Sequence, residues 1–289
     1  MNSSTSSFSF ILNTVALCAL LFLTYSLFVA TARPDVEAAG AQNQWQANQI
    51  AAQNYIYAPT EPETVIVGTS LAARLPLEAL PEDTANLAFN GGSPLTGLAI
   101  IDRKGGAPQR VLIEANLAFQ DKDEALVSQL FTPVFWRLKR FVPALQDKHQ
   151  PINVFLHYLR SRFGESEEEK LSRTVTDEEL AERLPIEQAK YVDPVLEETI
   201  ASQLTELKRL TDELATKGTE IIFFTMPVDT SLIDTKKYTS TRDLIMTHFP
   251  NASFLPAPID ANYRTTDGIH LLYASALEYT EQLETWLQP

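Results

Sequence analysis

The sequence has little of what several common functions require. Its 289 residues include one cysteine, which excludes an intramolecular disulfide and a metal site built from several thiolates. Lysine and arginine number 23 against 37 acidic residues, a formal charge of −14. Proteins that bind the phosphate backbone of nucleic acids usually cluster basic residues, so we predict no nucleic-acid partner. Neither of the common glycine-rich phosphate-binding patterns occurs, and we predict no cofactor and no metal.

Charged side chains are also missing from the first 32 residues. Residues 8–30 form an uncharged, mostly apolar run that would be about 34 Å long as a helix, enough to cross a bilayer. A cleaved signal peptide is the alternative, because Ala30-Thr31-Ala32 resembles a cleavage site, but its apolar region would be shorter and would follow basic residues. We predict a transmembrane anchor at 1–32 that contacts lipid through residues 8–30.

The next segment, residues 33–60, is polar and almost uncharged. This composition indicates a stalk between the membrane and a domain. The alternative is a short interfacial helix with Trp45, Ile50 and Tyr55 near one face.

From residue 61 to residue 289, short β-branched runs alternate with longer amphipathic runs. Strands are predicted at 64–67, 86–89, 110–114, 220–225 and 252–255. Helices are predicted at 71–80, 95–102, 192–217, 242–248 and 271–287. This alternation predicts an α/β fold, a three-layer α/β/α sandwich around a central parallel sheet.

Residues 118–191 interrupt this alternation as a predicted helical insertion. Residues 131–163 carry six basic side chains, one acidic side chain and seven aromatic ones, whereas 165–182 carry eight acidic and two basic ones. Two interpretations stay open: an ordinary insertion with solvated charged faces, or a basic, aromatic surface facing an anionic membrane or a membrane partner.

Four short stretches stand at the ends of predicted strands or just before the last helix: residues 68–71, 90–93, 114–116 and 267–270. In a parallel α/β sheet, ligands bind beyond the carboxyl ends of the strands, so we expect these loops to meet on one rim.

Serine-dependent acyl transfer is the chemistry these loops could support. Ser70 would be the nucleophile, His270 the base that activates it, and Asp267 the group that orients the imidazole. The backbone N–H groups of Ser70 and Gly91 and the side-chain amide of Asn116 would form an oxyanion hole.

Each of these residues also has a plain structural interpretation. Ser70 could cap a helix, Gly91 and Asn116 could serve in turns, Asp267 could cap the last helix and His270 could pack in its first turn. The ordered set at strand ends favours the catalytic interpretation.

The four stretches resemble the sequence blocks of the SGNH (GDSL-type) hydrolase superfamily: GTSL at 68–71, NLAFNGGS at 86–93, EAN at 114–116 and DGIH at 267–270. Two positions depart from the family pattern. Thr69 stands where many members have Asp, and Glu114 stands where the third block usually has a small residue.

The resemblance implies a metal-free, flavodoxin-like sandwich of SGNH type that cleaves or transfers an acyl ester, with Ser70, His270 and Asp267 as its catalytic residues. A membrane-anchored SGNH domain is similar to accessory proteins of bacterial polysaccharide O-acetylation, which work beside a multispanning acyltransferase. We therefore expect an esterase or O-acyltransferase outside the cytoplasmic membrane, acting on an acylated glycan or a small ester. The alternative is an inactive SGNH-like subunit that serves in complex assembly.

Overall fold

A computed structural model describes residues 4–34, 36, 41, 43–164, 166–258 and 263–287. The contacts divide the chain into two compact units. The N-terminal unit consists of residues 1–53 and 131–164, and the α/β unit consists of residues 54–130 and 165–289. The predicted insertion at 118–191 is therefore shared: its middle belongs to the N-terminal unit and its two ends belong to the α/β unit.

Five parallel strands form one sheet in the order β2-β1-β3-β4-β5. Their bounds are β1 (Thr64–Gly68), β2 (Thr84–Ala88), β3 (Arg110–Glu114), β4 (Glu220–Phe224) and β5 (Ser253–Phe254). Val65 lies beside Val111, which lies beside Ile221. All five residues of β1 are buried, as expected for a central strand of a sheet covered on both faces. The predicted α/β class and parallel sheet are confirmed.

Twelve α-helices lie within the described residues. They are α1 (Ser4–Ala32), α2 (Gln44–Ile56), α3 (Pro94–Lys104), α4 (Glu124–Leu130), α5 (Phe135–Phe141), α6 (Pro151–Phe163), α7 (Glu167–Ser172), α8 (Asp177–Lys190), α9 (Ala201–Thr216), α10 (Thr230–Ile233), α11 (Lys236–His248) and α12 (Tyr273–Leu287). Short 3₁₀ turns lie at residues 72–74, 77–79, 143–145, 147–149 and 197–199.

The core of the α/β unit packs α12 against alternate residues of the strands. Ile66, Leu112 and Ile222 join the buried cluster that contains Tyr279 and Leu283 of α12. Because successive strand residues point to opposite faces, the intervening residues face the other side of the sheet.

On that other side, Gly97 of α3 lies against Val67, so close that a Cβ at this glycine would come within 2.7 Å of the valine side chain. A residue larger than glycine would push α3 off the sheet.

Two predicted helices differ from the structure. The predicted helix at 71–80 is two 3₁₀ turns, because Pro76 lacks a backbone N–H and holds the preceding Leu75 in an extended conformation. The predicted helix at 192–217 is helical only from Ala201, and Pro194 lies in the non-helical part. Strand β2 begins and ends earlier than predicted, and α11 begins six residues earlier than predicted.

The N-terminal unit contains α1, which is exposed over most of its length. Its segment Phe8–Ala32 has a mean hydropathy of 2.2 over the most apolar window and is long and apolar enough to span a membrane. The predicted stalk contains α2, in which Ile50, Ala52 and Gln53 are buried. Gln53 donates to the carboxylate of Asp147 and accepts from the N–H of the same residue. These contacts pack the Gln53 side chain of α2 against Asp147 within the N-terminal unit.

Candidate active site

The structure brings together the three residues predicted to act on an ester. Ser70 lies two residues after the end of β1, in the loop at the carboxyl edge of the sheet. Its Oγ lies 2.8 Å from Nε2 of His270, although 200 residues separate the two along the chain. Nδ1 of the same imidazole lies 2.7 Å from Oδ2 of Asp267. The serine hydroxyl, imidazole and carboxylate therefore form one continuous chain of hydrogen bonds.

The turn that carries Asp267 and His270 explains their spacing of three residues. Oδ1 of Asp267 accepts the backbone N–H groups of Ile269 and His270, while Oδ2 holds the imidazole. The N–H of Thr266 donates to the carbonyl of His270 and closes the turn. The Asp267 carboxylate thus shapes the turn with one oxygen and orients the imidazole with the other. Its interpretation as a capping residue is therefore compatible with its interpretation as the residue that orients a catalytic histidine.

Gly268 allows this turn to close. Its φ is +103°, a conformation that side chains with a Cβ rarely adopt, and an added Cβ would come within 2.6 Å of Leu184 in α8. The neighbouring Arg183 donates from Nη1 to the carbonyl of Thr266. The end of the predicted insertion therefore packs against the loop that holds the imidazole, a contact that local sequence pattern did not indicate.

The electrostatics of Asp267 favour its ionised form. Burial raises the pKa of this carboxyl group, but the hydrogen bonds from the His270 ring and from the N–H groups of His270 and Ile269 outweigh burial and lower the pKa to about 2. A carboxylate that stays ionised at neutral pH accepts from Nδ1–H, and this leaves Nε2 as the imidazole nitrogen that can take a proton from Ser70.

The predicted oxyanion-hole residues follow the carboxyl ends of three adjacent strands. Ser70 follows β1, Gly91 follows β2 and Asn116 follows β3. Gly91 has a φ of +68°, so the backbone at this turn takes a conformation suited to glycine. The side-chain amide of Asn116 is fixed by both of its polar atoms: Nδ2 donates to the carbonyl of Met226 at 2.9 Å and Oδ1 accepts the N–H of Met226 at 2.7 Å. Nδ2 carries a second amide hydrogen, which makes no hydrogen bond among the described residues.

The two departures from the SGNH pattern contact each other. Oε2 of Glu114 accepts the backbone N–H of Thr69 at 2.7 Å and its hydroxyl at 2.8 Å. Gly68 makes room for this carboxyl group, because a Cβ at Gly68 would come within 2.8 Å of Oε2. Glu114 is fully buried, and its Oε1 has no hydrogen-bond partner among the described residues. The carboxyl group that supports the Ser70 loop thus comes from β3 rather than from the loop itself.

Burial also sets the ionisation of Glu114. Burial raises the pKa of this carboxyl group, against the opposing effect of its hydrogen bonds with Thr69 and of the backbone N–H groups of Ala72 and Leu117. A raised pKa means that the folded state favours the neutral acid. The stability that the neutral Glu114 confers is therefore fully present below the pKa of this group in the unfolded chain, about 4.3. That stability is lost as the pH rises through the pKa of the group in the folded chain.

This contact makes a testable prediction for two substitutions at one position. Glu114→Ala would leave the buried N–H of Thr69 without an acceptor and open a cavity, which we expect to cost about 2–4 kcal/mol of unfolding free energy. Glu114→Gln keeps an oxygen acceptor and cannot ionise. Its stability relative to the wild type should therefore increase as the pH rises. Thermal unfolding of the three chains across the pH range measures both effects, and a relative loss of stability by Glu114→Gln with rising pH would contradict the assignment.

A cavity of about 340 Å³ lies beside Asn116 in the α/β unit. Lys190 and Lys237 are among its lining residues, together with Asp193. Apolar side chains such as Phe119, Val195 and Ile200 form much of the rest of its lining, and Ser70 and His270 are not among its lining residues.

Sequence reasoning missed three supporting contacts of this site: the Glu114–Thr69 pair, the backbone of Met226 that clamps Asn116, and α8 beside the Asp267 turn. Thr69 and Glu114 were visible in the sequence as residues unusual for the SGNH pattern. The occurrence of both departures in one chain was the available signal for their contact. A comparison with protein-family models finds no match, and a comparison with curated proteins finds none either.

Proposed function

We propose that this chain is a membrane-anchored serine esterase or O-acyltransferase of SGNH type, with its α/β unit as a three-layer sandwich on the periplasmic or extracellular side of the cytoplasmic membrane. The observation that carries the proposal is the hydrogen-bonded chain from Ser70 Oγ through His270 to Asp267, with distances of 2.8 and 2.7 Å. A packing histidine or a capping serine would not require this order of three groups.

The reaction begins when Ser70 Oγ attacks the carbonyl carbon of an ester and its proton passes to Nε2 of His270. The carbonyl oxygen becomes an oxyanion, which the N–H groups of Ser70 and Gly91 and the free amide hydrogen of Asn116 stabilise. The tetrahedral intermediate collapses when its bond to the alcohol oxygen breaks, and the imidazolium gives its proton to that oxygen. Asp267 stabilises the imidazolium while it exists.

The second half of the reaction releases the acyl group from Ser70. Water or a sugar hydroxyl gives its proton to Nε2 of His270 and attacks the acyl carbon. The bond to Ser70 Oγ then breaks, and the serine recovers its proton. Water gives hydrolysis and a sugar hydroxyl gives transfer, so the two activities share their first half.

The resemblance to SGNH accessory proteins and the apolar helix α1 together support an acetylated cell-surface glycan as substrate, with a multispanning acyltransferase as partner. The alternative of an inactive assembly subunit would favour a Ser70 hydroxyl held away from the imidazole. The observed distance of 2.8 Å lies within the range needed for proton transfer and favours the enzyme.

The test is turnover by the full-length chain in detergent. We expect it to release the alcohol from p-nitrophenyl acetate and acetate from an acetylated glycan. Adding a non-acetylated oligosaccharide separates the two activities: an acetyltransferase will form an acetylated sugar, and an esterase will form acetate alone. A folded chain that turns over neither ester would contradict the proposal.

A further inference from the structure

The N-terminal unit exposes two apolar helix faces that its own fold does not cover. Residues three apart on a helix share a face. On α5 these are Phe135, Leu138 and Phe141, and on α6 they are Ile152, Phe155 and Tyr158. Their side chains are between 41% and 80% exposed. We call these six residues the aromatic surface. Exposed apolar faces of this kind mark sites of contact with a membrane or a partner.

The segment between α5 and α6 packs on α1 close to the end of its apolar span. The hydroxyl of Tyr25 donates to the carbonyl of His149, and Val29 is 2% exposed. The 3₁₀ turn at 143–145 also contacts α1. Tyr25 lies seven residues before Ala32, which is about 10 Å along the helix axis.

This contact fixes the depth of the segment relative to a membrane. The 25 residues of Phe8–Ala32 extend about 37 Å as a helix, longer than the roughly 30 Å hydrocarbon core, so their ends reach the headgroup layers. Tyrosine is also enriched at this boundary. The stretch from Phe8 to Tyr25 extends only about 26 Å, slightly less than that core, so Tyr25 reaches the boundary of the hydrocarbon when Phe8 lies at the opposite boundary. A backbone segment that contacts Tyr25 then lies at the membrane interface.

The charge of the same segment matches an anionic lipid surface. Residues 131–163 carry six basic side chains and one acidic one. The acidic one, Asp147, is largely buried and accepts from Lys139 at 2.7 Å, whereas Arg137, Arg140 and Arg162 are exposed. Basic residues near the headgroups are attracted to anionic lipids, and aromatic residues beside them insert at the same level.

We propose that α5 and α6 lie in the headgroup interface of an anionic bilayer, next to the membrane span of α1, with the aromatic surface facing the lipid. The inference rests on α1 as a membrane span and is independent of the chemistry at Ser70. A soluble protein partner would have no reason to find its apolar contact at the level of the membrane boundary, where α1 leaves the hydrocarbon.

The test uses the single native cysteine to label the full-length chain at one position at a time. An environment-sensitive fluorophore is attached to Cys18 in the wild type, or to Phe141→Cys, Phe155→Cys or Val192→Cys in a Cys18→Ser background. The proteins are reconstituted into phosphatidylcholine–phosphatidylglycerol vesicles that contain nitroxide-labelled lipid. Val192 is the matched control, because it is an exposed apolar residue of the α/β unit.

We expect quenching at positions 141 and 155 to exceed quenching at 192 by at least about threefold, with strong quenching at Cys18. Adding Arg137→Glu and Arg140→Glu, or omitting the phosphatidylglycerol, should reduce quenching at 141 and leave Cys18 unchanged. Strong quenching at Cys18 with equal, weak quenching at 141, 155 and 192 would overturn the proposal. Absence of quenching at Cys18 in a folded chain would overturn the membrane span on which it rests.

Discussion

Ser70→Ala is expected to lower kcat for p-nitrophenyl acetate or an acetylated glycan by about 10⁵–10⁶-fold, because the covalent route disappears with the nucleophile. His270 and Asp267 remain in place, but a methyl group cannot attack the carbonyl carbon. The fold should be unaffected, since among the described residues the Ser70 side chain makes one hydrogen bond, the one to His270. Steady-state turnover and thermal unfolding of the same preparations measure the two quantities.

Ser202→Ala is the matched control for this prediction. Ser202 is exposed, and its hydroxyl contacts the neighbouring Gln203 side chain. Its loss should leave both kcat and the unfolding temperature unchanged. A Ser70→Ala chain that retains wild-type turnover would remove Ser70 from the mechanism and return it to the role of a loop residue.

Asp267→Asn is expected to lower kcat by about 10³–10⁴-fold, with a smaller change in KM. The amide can still accept the N–H groups of Ile269 and His270, so the turn should persist. It supplies no negative charge to stabilise the imidazolium, and its NH₂ group can reverse the hydrogen bond to Nδ1. The imidazole would then carry its proton on Nε2, the nitrogen that must accept the proton of Ser70.

The control for Asp267→Asn is Asp212→Asn, which removes an exposed carboxylate that pairs with Lys208 at 3.1 Å. It should leave kcat unchanged, because an exposed pair contributes little to stability and lies outside the site.

The pH dependence of stability gives a second readout for Asp267. Its pKa is lowered to about 2, below the value of about 3.9 in an unfolded chain. Its contribution to stability is therefore present above about pH 4 and is lost as the pH falls towards 2. The Asn variant should lack this loss. A wild-type turnover rate for Asp267→Asn would show that the contact with His270 is structural only.

The central part of the fold was predictable because hydrophobic residues recur at different spacings in strands and in helices. The run at 64–67 is β-branched throughout, and the run at 110–114 is apolar at its three central residues; the two runs lie in strands β1 and β3, whose residues are almost all buried. The helix predicted at 71–80 was wrong because its apolar spacing suited a helix while Pro76 forbade one. The spacing of hydrophobic residues thus identified the buried residues but not the conformation of the backbone at those positions.

The division into two units was only partly visible in the sequence. The charge changes sign between 131–163 and 165–182, and the unit boundary falls at residues 164 and 165. The contact of residues 143–149 with α1 joins positions more than a hundred residues apart, and no local pattern encodes such a pairing.

The candidate site followed from the sequence because Ser70, Gly91 and Asn116 follow three predicted strands in order, while Asp267 and His270 stand just before the last predicted helix. The hydrogen bonds of Ser70, His270 and Asp267 agree with that order. The support from Glu114 could not be predicted, since it depends on the register that places β3 beside β1 and on the space left by Gly68.

Reaction with a fluorophosphonate, located by mass spectrometry, tests the central claim most directly. This reagent forms a covalent bond with serines that an adjacent base has activated. The wild-type chain is predicted to carry the label on Ser70, and Ser70→Ala and Asp267→Asn should lose most or all of it, while Ser202→Ala labels normally. Labelling at another serine, or no labelling of the folded wild-type chain, would contradict the assignment of Ser70 as an activated nucleophile.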